Sequence, residues 1–81
     1  MVNDIYACLE FVIVDIKLEV ILDINRSMYD NLLLLQKMID QLKYYDFLKV
    51  VLFEKYTNIK LDPYQPLNKV GLYEGINIII Y

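Results

Sequence analysis

Two stretches decide the fold: Ile5-Tyr6-Ala7-Cys8-Leu9-Glu10-Phe11 and, after a short break, Ile16-Lys17-Leu18-Glu19-Val20-Ile21-Leu22-Asp23-Ile24. In the first, Ile5, Ala7, Leu9 and Phe11 recur at every second position, and Tyr6, Cys8, Glu10 and Val12 fall between them. That is the period of a strand with one buried face. The second repeats it, with Leu18, Val20, Leu22 and Ile24 alternating with Lys17, Glu19, Ile21 and Asp23. The pattern predicts strands over Ile5 to about Ile13 and over Ile16–Ile24, paired as a hairpin. Phe11 then faces Leu18, Leu9 faces Val20, Ala7 faces Leu22 and Ile5 faces Ile24, so each inward residue meets another. Val14-Asp15 lacks the Asn-Gly or Gly chemistry of a two-residue turn, which leaves a longer loop open.

Downstream, Ser27 is placed to cap a helix, with Asp30 at the third position beyond it. Met28, Leu32, Leu35, Met38, Ile39 and Leu42 form a stripe at helical spacing and predict a helix to about Leu42. Asp30, Lys37 and Gln41 lie on its outer side. Leu33 and Leu34 fall off the stripe and imply either a second, smaller contact or packing against Tyr44-Tyr45 or Tyr64. Lys43–Asp46 reads as a connector. Phe47–Phe53 reads as a third strand, with Leu48, Val50 and Leu52 inward and Phe47, Lys49, Val51 and Phe53 outward. Ile59–Leu61 is a short strand, and Asp62-Pro63-Tyr64-Gln65-Pro66 is turn-rich. Leu67–Tyr73 forms a compact loop or single helical turn. Gly75 opens a last strand, Ile76–Tyr81. The expected architecture is α+β: one helix packed on one face of a mixed ββαββ(β) sheet, in a single domain over residues 1–81.

Composition bounds the function. Of the 81 residues, 58% are hydrophobic and 23% charged, which excludes intrinsic disorder. A chain this short cannot hide so much apolar surface, so some of it must face outward. The net charge is −3, and the few lysines are scattered. Nucleic acid and anionic membranes, which need basic patches, are therefore not expected partners. Met1-Val2-Asn3-Asp4 lacks a signal-peptide start, and no apolar run approaches the roughly 18 residues of a membrane span. A cytoplasmic protein without direct membrane insertion is the expectation.

No catalytic constellation emerges. Cys8 is the only cysteine and histidine is absent, so neither an activated thiol nor a zinc site is expected. Cys8 reads as a small sheet residue. Glu10, Glu19, Asp30, Asp40, Glu54, Asp62 and Glu74 are dispersed and read as solvated surface charge rather than an acid–base pair. With only two glycines there is no phosphate loop. No cofactor and no enzymatic activity are expected.

The C-terminal third adds a resemblance. Leu61-Asp62, Leu67, Gly71-Leu72 and Gly75 before an apolar last strand look like the tail of ubiquitin-like β-grasp domains. Leu67-Asn68-Lys69-Val70-Gly71-Leu72-Tyr73-Glu74-Gly75 further resembles the small bacterial YukD/EsaB family, the ubiquitin-like components of type VII secretion systems. The resemblance implies first and last strands lying parallel at the sheet centre. It also implies a non-catalytic cytoplasmic accessory or regulatory module that works by protein–protein interaction. Conjugated modifiers and sulfur carriers of this fold end in a flexible Gly-Gly tail, whereas this sequence ends at Ile80-Tyr81. As written it is not expected to be adenylated; a longer precursor would restore that alternative.

The informative signal is misplaced hydrophobicity. The sheet face away from the helix is expected to carry Tyr6, Cys8, Val12, Ile21, Phe47, Lys49, Val51, Phe53, Ile79 and Tyr81. An aromatic, apolar surface of this kind marks an interaction site. Val51 and Ile79 are its expected centre, with Lys49 and Tyr81 at the rim and Tyr6 and Phe47 also in the site. The occupant is a protein partner or a second copy, and in the latter case the chain is a self-assembling homo-oligomer.

Overall fold

A computed structural model describes residues 3–81; Met1 and Val2, half of the stretch read for a signal peptide, lie outside the described residues. The elements are β1 (Asp4–Phe11), β2 (Ile16–Asp23), α1 (Met28–Met38), β3 (Leu52–Glu54), β4 (Lys60–Leu61) and β5 (Ile76–Ile80), with short 3₁₀ turns at 40–42, 47–49 and 67–69. The strands form one sheet in the order β2-β1-β5-β3-β4. β1 and β5 pair in parallel at its centre; the other pairings are antiparallel. The expected α+β arrangement, one helix on one face of a mixed sheet, is therefore present.

Alternation does the sorting. Ala7, Leu9 and Phe11 on β1, Leu52 on β3, and Ile76, Ile78 and Ile80 on β5 all point to the helix side and are sealed there. Met28, Leu32 and Leu35 close the layer from above, and Leu42, Phe47, Val50 and Leu67 fill its ends. Ser27 caps the helix as expected, its Oγ accepting from the Asp30 N–H at 3.0 Å. Gly71 and Gly75 hold φ values of 74° and 80°, a conformation that penalises a Cβ. The Gly75 N–H donates to the Tyr6 carbonyl and so locks the entry to β5 against β1.

Four expectations need correction. The hairpin pairs Ile5 with Leu22, Ala7 with Val20, Leu9 with Leu18 and Phe11 with Ile16, a shift of two positions. Residues 12–15 form the longer loop, closed by the Asp15 N–H on the Val12 carbonyl with Asp15 at φ 54°. A shift of two preserves which side chains face the core, which is why the predicted faces survive.

The helix ends at Met38 rather than Leu42. Ile39 is extended at φ −123°, and the Gln36 amide donates to the carbonyls of Leu42 and Tyr45, folding the chain back as a 3₁₀ turn. Leu42 still reaches the core, but Met38 is 79% exposed and does not belong to the stripe. Leu33 packs on the core edge, and Leu34 stays exposed.

The third strand starts at Leu52, not Phe47. The Asp46 carboxylate accepts from the Leu48 N–H at 3.0 Å and winds residues 47–49 into a 3₁₀ turn. That turn inverts the expected faces: Phe47 is 2% exposed and Leu48 is 64% exposed. From Val50 onward the predicted alternation returns, with Leu52 inward and Val51 and Phe53 outward.

Glu54 is not a solvated surface acid. It is buried at the edge of the inner face and fully engaged. Its carboxylate accepts from the N–H groups of Tyr56 and Thr57, from the Thr57 hydroxyl and from the Tyr73 hydroxyl. These bonds close the β3–β4 turn and tie it to the loop that precedes β5. The Thr57 hydroxyl and N–H are the main cause of a carboxyl pKa lowered to about 2.

Candidate outer-face docking site

The sheet leaves its second face uncovered by the helix. Outward positions on the two central strands stand side by side, Cys8 beside Asn77 and Glu10 beside Ile79. Ile79 in turn faces Phe53 on β3. Beyond the strand ends, Val51 and Tyr81 continue the ladder, exchanging main-chain hydrogen bonds at 3.3 and 2.9 Å. The Phe53 and Tyr81 rings meet edge to face, with centroids 5.8 Å apart. Val51, Phe53, Ile79 and Tyr81 thus form one half-buried apolar cluster, with Tyr81 the most open at 48% exposure.

The middle of the face is charged. Glu10 lies 3.9 Å from the Lys17 ammonium and 3.6 Å from that of Lys55. All three side chains are solvent-accessible, so these pairs orient more than they stabilise. Further along, Tyr6 sits next to Glu19, whose carboxylate raises the phenol's pKa by hydrogen bonding. Ile21 lies beyond it, 62% exposed, toward the β2 edge.

Of the residues read from sequence as the site, Val51, Ile79 and Tyr81 come together, and Tyr6 stands apart at the far end of the same face. Lys49 is exposed but lies on the 3₁₀ turn rather than on a strand. Phe47 does not belong to the face. It stacks on Tyr45 at 4.9 Å and tilts against Phe11 at 6.3 Å inside the core. Phe53, which supplies the cluster's edge-to-face partner, completes it.

No family model matches the chain, and no curated protein matches it. Solved structures do. The ubiquitin-like domain of the Arabidopsis thaliana protein At2g32350 superposes with a TM-score of 0.72 at 18% identity, covering 99% of this chain and 78% of that one. A structure described by the molecular mimicry of SUMO in DNA repair gives 0.74 at 14% identity, covering 100% and 94%. The N-terminal ubiquitin-like domain of the 4931431F19Rik protein gives 0.69 at 15% identity, covering 100% and 76%. The chain has the ubiquitin-like β-grasp fold.

Within this ubiquitin-like frame, one feature escaped the sequence reading. Ile13 and Val14 at the hairpin tip and Tyr44, Tyr45 and Asp46 in the connector line an open groove. The Tyr45 hydroxyl itself is buried without a hydrogen-bond partner among the described residues, and burial raises its pKa. The available signal was the run Val12-Ile13-Val14, three apolar residues where a turn ordinarily carries polar ones. Among the described residues, no group of three or more His, Cys, Asp or Glu side chains is placed to hold a metal ion, and no helix is long and apolar enough to cross a membrane.

Proposed function

We propose that this ubiquitin-like domain is a non-catalytic docking module that binds a protein partner through the outer face of its sheet. The supporting observation is the cluster of Val51, Phe53, Ile79 and Tyr81. It is an aromatic and aliphatic surface on β3, β5 and the ladder positions that continue them, beside a charged strip at Glu10, Lys17 and Lys55. An apolar centre with a polar surround is the usual anatomy of a recognition surface. One structural neighbour is described by its molecular mimicry of SUMO in DNA repair.

The finer reading is a cytoplasmic accessory component of a bacterial type VII secretion system. The similarity of Leu67–Gly75 to the YukD/EsaB segment supports it. Affinity capture from the native host, with the wild-type chain beside the Val51→Asp/Ile79→Asp variant, tests both levels. Membrane or ATPase components of a secretion apparatus recovered with the wild type and lost with the variant are the expected result. Recovery of this chain alone makes the face a self-interface and reduces the family resemblance to fold.

A further inference from the structure

The sheet has two free edges of very different character. β4 is two residues long, carries Lys60 at its start and runs into Asp62-Pro63, the usual protection of an exposed edge. β2 is eight residues long, with no proline or glycine and strict alternation. A long, regular edge is a template for another strand.

Hydrogen-bond parity shows which part of β2 is available. The Ile24 N–H donates to the Asn3 carbonyl, so Leu22, Val20, Leu18 and Ile16, at alternate positions back along the strand, aim their main-chain groups at β1. Lys17, Glu19, Ile21 and Asp23 therefore aim theirs outward. Asp23 is already satisfied: its N–H donates to Asn31 Oδ1 at 2.9 Å, and its carbonyl accepts from Asn31 Nδ2 at 3.0 Å. The buried Asn31 side chain thus stops the edge like a one-residue strand. The open stretch is Lys17–Ile21.

We infer that this stretch pairs antiparallel with the same stretch of a second copy, about a two-fold axis through Leu18, with Lys17 opposite Glu19 of the other copy. Three symmetric registers pair two or more of the open residues Lys17, Glu19 and Ile21, and charge separates them. An axis at Glu19 sets Glu19 on its own copy, a like-charge pair. An axis at Val20 sets Lys17 on Asp23, whose main chain is held by Asn31 and whose carboxylate is 3.3 Å from Arg26. The axis at Leu18 sets a lysine against a glutamate on both sides, and each such pair exchanges main-chain hydrogen bonds. On the helix side, Leu18 meets Leu18 and Ile16 meets Val20, all half-buried in the single chain. Leu34 and Met38, the exposed apolar residues of α1, overhang the same groove beside Val20 and Ile21 and would be covered by the incoming copy. This pairing uses the edge of the sheet; it shares Lys17 with the charged strip of the outer face but uses none of Val51, Phe53, Ile79 and Tyr81.

Sedimentation equilibrium from micromolar to millimolar protein tests it. The wild type is expected to dimerise. Lys17→Glu, which turns both cross-strand pairs into like-charge pairs, should weaken the dimer by roughly tenfold or more. Lys17→Glu/Glu19→Lys exchanges the charges and should restore it, a rescue that the other two registers do not give. Glu19→Pro removes an outward N–H that β1 does not use and should abolish pairing; if that variant does not fold, the charge-exchange pair still decides. A wild type that stays monomeric overturns the proposal. So does a dimer indifferent to Lys17→Glu, or one that the exchange fails to rescue.

Discussion

The two faces of the sheet come from the same strands in strict alternation, yet physics treats them oppositely. On the helix side, Ala7, Leu9, Phe11, Leu52, Ile76, Ile78 and Ile80 are sealed, and the acid that enters this layer, Glu54, is buried with several donors around it. On the other side, residues of similar apolarity, Val51, Phe53, Ile79 and Tyr81, are left half-open, and acids and lysines sit among them without burial. The inner face obeys the rules of a core, where volume and hydrogen bonds must be completed within the chain. The outer face leaves both incomplete, as a surface does whose complement lies on another molecule.

Substitutions that cross this divide should separate the faces by size of effect. Phe47→Ala carries the largest expected loss, about 3 kcal/mol in denaturant unfolding, because it empties the space between Tyr45 and Phe11. A loss under about 1 kcal/mol would return Phe47 to the surface, as for an exposed side chain. Asn31→Ala should cost about 2 kcal/mol by the same assay, since it strands the main-chain groups of Asp23 and leaves a buried gap.

Glu54→Gln sharpens the comparison through pH. The native carboxyl titrates near 2 against an ordinary value of 4.5, so its contribution is fully present above 4.5 and is lost as pH falls toward 2. Melting temperatures measured down that range should fall more steeply for the wild type than for the glutamine variant. Parallel curves would mean that Glu54 is solvated in the native state. Val51→Asp carries the smallest expected effect on folding, under about 1 kcal/mol, because the outer face tolerates a charge. A severe loss would place Val51 in the core and reverse the strand phase.

The parts legible in the sequence were those where period alone decides. The β1 and β2 alternation, the Ser27 cap and the β5 run each carry their own signal, and a register error of two left their faces intact. Residues 47–49 were not legible. Phe47-Leu48-Lys49-Val50 fits strand alternation well enough, and what overrules it is a local cap together with a tertiary contact. The Asp46 carboxylate captures the Leu48 N–H, and a space beneath Phe11 accepts the Phe47 ring. Glu54 escaped although Tyr56 and Thr57 bind it locally, because a turn acid of that kind is ordinarily solvated and Tyr73, which joins it from the loop before β5, lies 19 residues away. Of the candidate site, Val51, Ile79 and Tyr81 were legible because they sit on β5 or on ladder positions that continue β3 and β5 in phase; Phe47 was misplaced because it lies on a 3₁₀ turn.

The most direct test of the docking claim places a photo-crosslinking amino acid at Ile79, on the outer face, and separately at Lys37, on the exposed side of the helix, in the native host. Adducts with a defined partner protein from position 79 and none from position 37 are predicted. Equal adducts from both, or adducts from position 37 alone, would contradict the account and move recognition to the helix side of the molecule.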